Sequence, residues 1–197
     1  MLDIVIAKYK EDISWSNKFK TSKVIIYDKS GEDNGFINLP NVGRESHTYL
    51  THIINNYDNL PDYTCFLQGN PFDHLQLDIE DIERIELSKN LEFIDLSKIR
   101  LECNLYNCSH LMNWQLEVLP LYDTYKRIFK REYVNFRFMF GTGAQFVVSK
   151  ESILRNSKEI YQNALDILKE SISPIEGYCL ERLWPVIFLG EDFFTKQ

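Results

Sequence analysis

No surplus of basic charge runs through this chain of 197 residues: 22 Lys and Arg face 29 Asp and Glu, for a formal net charge of -7 and a pI near 5.2. Neutralising a run of phosphates needs Lys and Arg in excess on one face, so the balance argues against nucleic acid and leaves phosphate to be held locally. The basic pieces, Lys18 to Lys23 and Lys126 to Arg131, are short, interleaved with aromatics, and equally explained by a solvated helix face. No segment reaches the ~18 apolar residues of a membrane span, and the first residues read as a strand instead of a basic leader with an apolar run. A cytoplasmic protein without a transmembrane segment is the expectation.

The four cysteines, Cys65, Cys103, Cys108 and Cys179, include no Cys-x-x-Cys pair, so reduced thiols are the default, with a Cys103–Cys108 bridge left open. Also missing are a Gly-x-Gly-x-x-Gly fingerprint after the first strand and a Walker phosphate loop, which argues against a dinucleotide-binding domain and a P-loop nucleotidase. No repeat or linker divides the chain, and one domain over 1–197 follows.

What the chain does have is a core: 44% of its residues are hydrophobic and 14% aromatic, well away from disordered compositions. Leu2 to Ala7 is almost continuously aliphatic and reads as a strand buried on both faces. Asp12 then caps a short helix through Trp15 and Phe19, and Val24 to Tyr27 is a second strand. After a loop over Lys29 to Pro40, Leu50, Ile53, Ile54 and Tyr57 mark a helix, and Tyr63 to Leu67 a third strand. Further on, Ile79, Ile82 and Ile85 suggest a helix, Leu91 to Asp95 a strand, Tyr122 to Phe129 a helix, Gly141 to Ala144 a tight turn and Gln145 to Val148 a strand. Two amphipathic helices parted by Pro174 close the chain. The β-α-β-α-β order predicts an α/β fold, with a mostly parallel central sheet flanked by helices.

In such a sheet ligands bind beyond the carboxyl ends of the strands. The third strand runs into Gln68-Gly69-Asn70-Pro71, and that turn delivers Asp73 and His74. Gly, Asn and Pro are also ordinary turn residues, but Gln68 and the Asp-His tandem add chemistry that a plain turn does not need. Arg44 and Glu45 open the first long helix, either as a surface ion pair or as an anion site of amides and a guanidinium fork. His47 and His52 fall on different helical faces and form no paired metal site. Asp78, Glu80 and Asp81 suit a helix start and rank lower. Of Glu176, Glu181 and Arg182 on the last helix, the two glutamates are i, i+5 and do not share a face, so one at most points into a site.

Four strings lie in order along the chain: Val5 to Asp12; Asn41-Val42-Gly43-Arg44-Glu45 with Thr48-Tyr49-Leu50; Phe66 to Pro71 with His74; and Glu181-Arg182-Leu183-Trp184. Together they closely resemble a domain family of unknown function over nearly the whole chain, and that family is similar to compact GT-A glycosyltransferases. The resemblance implies a nucleotide-sugar half over about 1–100 and an acceptor half over about 101–197. Tyr9, Glu11 and Asp12 would face base and ribose, and Arg44, Glu45, Gln68, Asn70 and Arg182 the donor phosphates. Gly143 would let the donor sugar approach the backbone. Asp73 and His74 stand where an Asp-x-Asp motif would hold a metal, and because imidazole suits Mn²⁺ better than Mg²⁺, Mn²⁺ is favoured, with metal-independent action left open. Glu176 or Glu181 would be the general base. The implied reaction moves a sugar from a nucleotide diphosphate, most simply a UDP-sugar, to a glycan or other hydroxyl acceptor. A non-catalytic carbohydrate- or nucleotide-binding module on the same fold is the alternative, and a metal hydrolase using Asp73 and His74 a third reading.

Overall fold

The computed structural model describes residues 1–87, 91–106, 118–132, 134 and 136–195. Cys108, and with it the Cys103–Cys108 question, lies outside them, as does the segment around Trp114. Among the described residues the strands are β1 Leu2–Lys8, β2 Lys23–Asp28, β3 Ile37–Asn38, β4 Tyr63–Gln68, β5 Phe93–Asp95, β6 Arg100–Cys103, β7 Phe138–Gly141 and β8 Phe146–Ser149. The α-helices are α1 Arg44–Asn56, α2 Ile79–Ile82, α3 Leu121–Phe129, α4 Lys150–Leu154, α5 Lys158–Leu168, α6 Ile175–Leu189 and α7 Glu191–Thr195.

The main sheet has the order β3-β2-β1-β4-β8-β5, and β6 with β7 forms a separate antiparallel ribbon. β2, β1 and β4 are mutually parallel, as the β-α-β-α-β order predicts, and the short β3, inside the stretch read as a loop, adds a further parallel edge strand. β8 is antiparallel to both β4 and β5, so the sheet is mixed and not mostly parallel throughout. The reason is where the chain arrives: the turn after Gly141 lies at the carboxyl edge of β4, so the strand leaving it must run back down. Asp12 does not cap an α-helix. Its Oδ1 accepts the Ser14 amide at 2.8 Å and starts a single 3₁₀ turn, Ser14–Lys18. The helix expected through Ile85 stops at Ile82.

Alternation along the strands sends side chains to two cores, one on each face. Val5, Phe66 and Phe146 meet α1 and α6 through Tyr49, Leu50 and Trp184, with Phe66 and Phe146 rings 5.3 Å apart. Ile4, Ile6, Cys65 and Val147 meet Trp15, Phe19, Ile79 and Ile82 on the other side. α6 is buried on nearly every face and carries Pro185 inside it. Among the described residues no helix is long and apolar enough to cross a membrane.

Two imidazoles are sealed beneath the sheet by α1. His52, 1% exposed, shares a 3.1 Å hydrogen bond between its Nδ1 and the Tyr27 hydroxyl, and His47 is buried near Lys29. Burial pushes both down to about 4. Each stays neutral in the fold while the unfolded chain takes up a proton below about 6.5. Stability should therefore fall as the pH drops from about 6.5 toward 4, by about 1.4 kcal/mol per pH unit for each imidazole. Urea unfolding across this range should show His52→Gln removing about one proton's worth of that slope; an unchanged slope would count against the burial argument.

Candidate functional site

The chain moves outward from β1 to β2 and β3, then returns through α1 to β4 on the other side of β1. Adjacent strands whose connections leave in opposite directions open a crevice at their carboxyl ends. A cleft of about 320 Å³ lies there, between Ala7, Lys8 and Tyr9 at the end of β1 and Gln68, Gly69, Asn70 and Asp73 after β4. Glu11, Lys29, Asn41, Arg44 and Glu45 complete its walls.

Lys8 ends the aliphatic run of β1, and its Nζ donates to Asp28 Oδ2 at 2.7 Å and to the Tyr9 carbonyl at 3.0 Å. Burial alone would raise the Asp28 carboxyl, but hydrogen bonds from Lys8, Ser30 and Asn34 outweigh it and hold it at about 2. The next residue, Lys29, donates to the Val42 carbonyl at 2.7 Å and to that of Arg44, tying the end of β2 to the start of α1. Burial pushes the Lys29 ammonium down to about 8, opposed by Glu45. Opposite them, Glu11 accepts the Tyr9 amide at 2.7 Å and lies so close to Gly69 that a Cβ there would stand 2.6 Å from its Oε2. The Gly69 carbonyl in turn accepts the Trp15 indole at 3.0 Å.

Gly43 and Arg44 both take left-handed backbone conformations, with φ of 63° and 51°. Their amides donate to the Ser171 and Ile172 carbonyls at 2.8 and 3.3 Å. The amide part of the expected anion site is thus consumed by the α5–α6 connection, and the guanidinium is what Arg44 presents. It sits 4.4 Å over the Tyr178 ring, with Nε 3.6 Å from Glu45 Oε2.

Tyr178 leads to a second group at the edge of the cleft. Glu181 Oε1 accepts the Gly143 amide at 2.5 Å, and Oε2 lies 3.2 Å from Arg182 Nη1. Burial raises the Glu181 carboxyl, while the Gly143 amide, Arg182 and Arg44 draw it down and Glu45 opposes them. Arg182 itself is buried over the Phe140 ring and donates to the Tyr178 carbonyl at 2.8 Å. Glu176 faces away to an ion pair with Arg127 at 2.9 Å, as the i, i+5 spacing implies for one of the two glutamates.

The structure therefore gathers Tyr9, Glu11, Arg44, Glu45, Gln68, Asn70 and Asp73 around one cleft, with Glu181 and Gly143 beside it. Asp12, Glu176 and Arg182 are held in local contacts instead. Lys8 and Lys29 are cleft residues that the sequence reading passes over, although a charged residue closing a buried strand, as Lys8 does, is a signal for the first of them. Asp73 reaches the cleft, but the neighbouring His74 turns its Nδ1 to Thr142 Oγ1 at 3.2 Å. Among the described residues no three His, Cys, Asp or Glu side chains gather as a cation site would need. As placed, these donors do not fit an ion held by the protein alone.

Residues 4–197 match the model of a family described as Protein of unknown function (DUF3431). Neither a search of curated proteins nor one of solved structures finds a match.

Arg44 gives a prediction that separates support of the fold from binding. A left-handed non-glycine residue costs about 1 kcal/mol, close to what an aromatic stack returns. Arg44→Gly should leave urea stability within about 1 kcal/mol of the parent while weakening pyrophosphate binding about tenfold by calorimetry. A loss of several kcal/mol would instead make the guanidinium a structural tie.

Proposed function

Since the chain belongs to the DUF3431 family, whose description assigns no activity, its own cleft carries the functional reading, and we propose that it is a GT-A-type glycosyltransferase. In this reading it acts in the cytoplasm and moves a sugar from a nucleotide diphosphate, most simply a UDP-sugar, to a hydroxyl of a glycan or other acceptor. The observation that carries the proposal is the composition of the switch-point cleft. Lys8, Lys29 and Arg44 supply positive charge where a diphosphate would lie, and Glu11, Glu45 and Asp73 supply acceptors for ribose and sugar hydroxyls. A nucleotide sugar presents both kinds of group, and 320 Å³ lies within the usual range for small-molecule sites.

The chemistry required is modest. The acceptor oxygen forms a bond to the anomeric carbon, the bond from that carbon to the diphosphate breaks, and the diphosphate leaves with the electron pair. The hydroxyl proton goes to a carboxylate, and Glu181, beside Arg44 and Gly143, is the better placed of the two glutamates. The guanidinium and ammonium groups stabilise the departing charge from fixed positions. Among the described residues Asp73 and His74, the donors expected to hold Mn²⁺ or Mg²⁺, do not converge on one point. A non-catalytic nucleotide-binding module is the second reading, favoured by one fact: both Glu181 oxygens already have partners, Gly143 and Arg182.

Thermal melting with UDP and UDP-sugars, with and without Mn²⁺, tests the proposal. UDP is expected to raise Tm under both conditions. Glu181→Gln should keep that shift while lowering transfer by about 100-fold or more. If no nucleotide moves Tm, the transferase and module readings both fail; a nucleotide shift without transfer to any hydroxyl acceptor selects the module.

A further inference from the structure

A second cavity is larger than the switch-point cleft. It measures about 640 Å³ and opens between β5, the β6–β7 ribbon and α6–α7. Phe93, Phe138, Met139, Pro185, Phe193 and Phe194 give it one apolar wall, and Arg100 with the Arg137–Glu102 ion pair, 2.8 Å between the charged groups, gives it a polar one of similar extent. Asp95, the last residue of β5, also lines it. The Asp95 carboxylate lies flat on Gly141, where any Cβ would collide with both oxygens, and its Oδ1 accepts the Ser97 amide at 2.8 Å. Gly141 thus belongs to the cavity's construction, since no other residue lets the carboxylate lie there.

Phe93, Asp95 and Pro185 are shared with a crevice of about 10 Å³ that runs inward to Glu181, Gln145 and Trp184. Here two polar atoms are unmet. Gln145, 1% exposed, donates from Nε2 to the Pro71 carbonyl at 2.9 Å, but its Oε1 has no partner among the described residues. Trp184, also 1% exposed, leaves its Nε1 without one. Such orphans are costly when buried. One lacks a donor and the other an acceptor, and a hydroxyl supplies both. The crevice is too small for more than one such group, and the aromatic wall of the cavity outside it suits a flat apolar body stacked along it.

We infer that this cavity is a second ligand site for a small hydroxyl compound with a flat, apolar body, whose hydroxyl enters the crevice between Asp95, Gln145 and Glu181. Calling that compound the sugar acceptor rests on the transferase reading; the binding itself does not. The crevice ends at Glu181, and Glu181 borders the switch-point cleft through Gly143 and Arg44, so a hydroxyl lodged there is presented to the carboxylate assigned as base. An extended glycan would leave the aromatic wall with little to cover.

Umbelliferone and coumarin, which differ by one hydroxyl, test this by calorimetry, with maltotriose as the glycan probe and UDP melting run on the same protein. Umbelliferone should bind about tenfold more tightly than coumarin. Asp95→Asn, which keeps size and the Ser97 contact, should shrink that preference. Met139→Trp, on an exposed position of the wall, should weaken both coumarins about tenfold by filling the cavity. Equal affinity for the two coumarins, binding untouched by Met139→Trp, no binding of either, or tighter maltotriose binding would each overturn the inference. Umbelliferone binding without a UDP shift keeps the second site and removes the transferase reading; a UDP shift without umbelliferone binding does the reverse.

Discussion

Two consecutive left-handed residues, Gly43 and Arg44, hold the molecule's working parts in register. Their amides are spent on the Ser171 and Ile172 carbonyls, which fastens the start of α1 to the segment just before α6. From below, Lys29 grips the Val42 and Arg44 carbonyls and adds the end of β2 to the same knot. A non-glycine residue keeps that backbone conformation only where the surroundings determine it, and here three separate parts of the chain do so. One result is that the Arg44 side chain is aimed at the crevice between β1 and β4. The other is that Tyr178, and through it the Glu181 turn of α6, is brought to the same edge.

Charge in the cleft is distributed so that each ion has a structural neighbour without being cancelled. Lys8 pairs with Asp28, whose carboxylate is shared with the Ser30 amide and Asn34, and Lys29 is solvated by carbonyls instead of water. Arg44 keeps a loose contact with Glu45 and an aromatic face beneath it. Preorganised groups of this kind cost little to arrange when a charged ligand arrives. The price of that arrangement is borne by burial, as the lowered Lys29 and the raised Glu181 both show.

Much of this was legible in the sequence. The aliphatic run Leu2 to Ala7 announced the central strand, and the Gln-Gly-Asn-Pro turn announced the strand end from which Gln68, Asn70 and Asp73 line the cleft. The face argument separating Glu176 from Glu181 also agrees with where the two side chains point. The direction of β8 was not legible, because it depends on the edge at which the chain arrives after a long excursion, and no local pattern encodes that. Nor was the parting of Asp73 from His74. Adjacent residues in a turn share a position but not a direction, and the direction of His74 is fixed by Thr142, a residue distant in sequence. The sequence reading passes over Lys8 and Lys29, because the partners that bury them, Asp28 and the Val42 carbonyl, lie elsewhere in the chain.

Pro185 gives α6 a property that its burial conceals. A proline has no amide hydrogen, so the carbonyl one turn earlier, that of Glu181, has no donor within the helix. The helix is a rung short at Glu181, and both Glu181 and Pro185 line the small crevice that runs inward from the larger cavity. Axial bending at this joint would change the width of that crevice. The aromatic stack of Trp184 on Phe188, 5.5 Å between rings, continues across the missing rung and limits how far the joint can open. The weakest backbone link of α6 thus lies at the residue whose buried carboxylate holds the Gly143 amide.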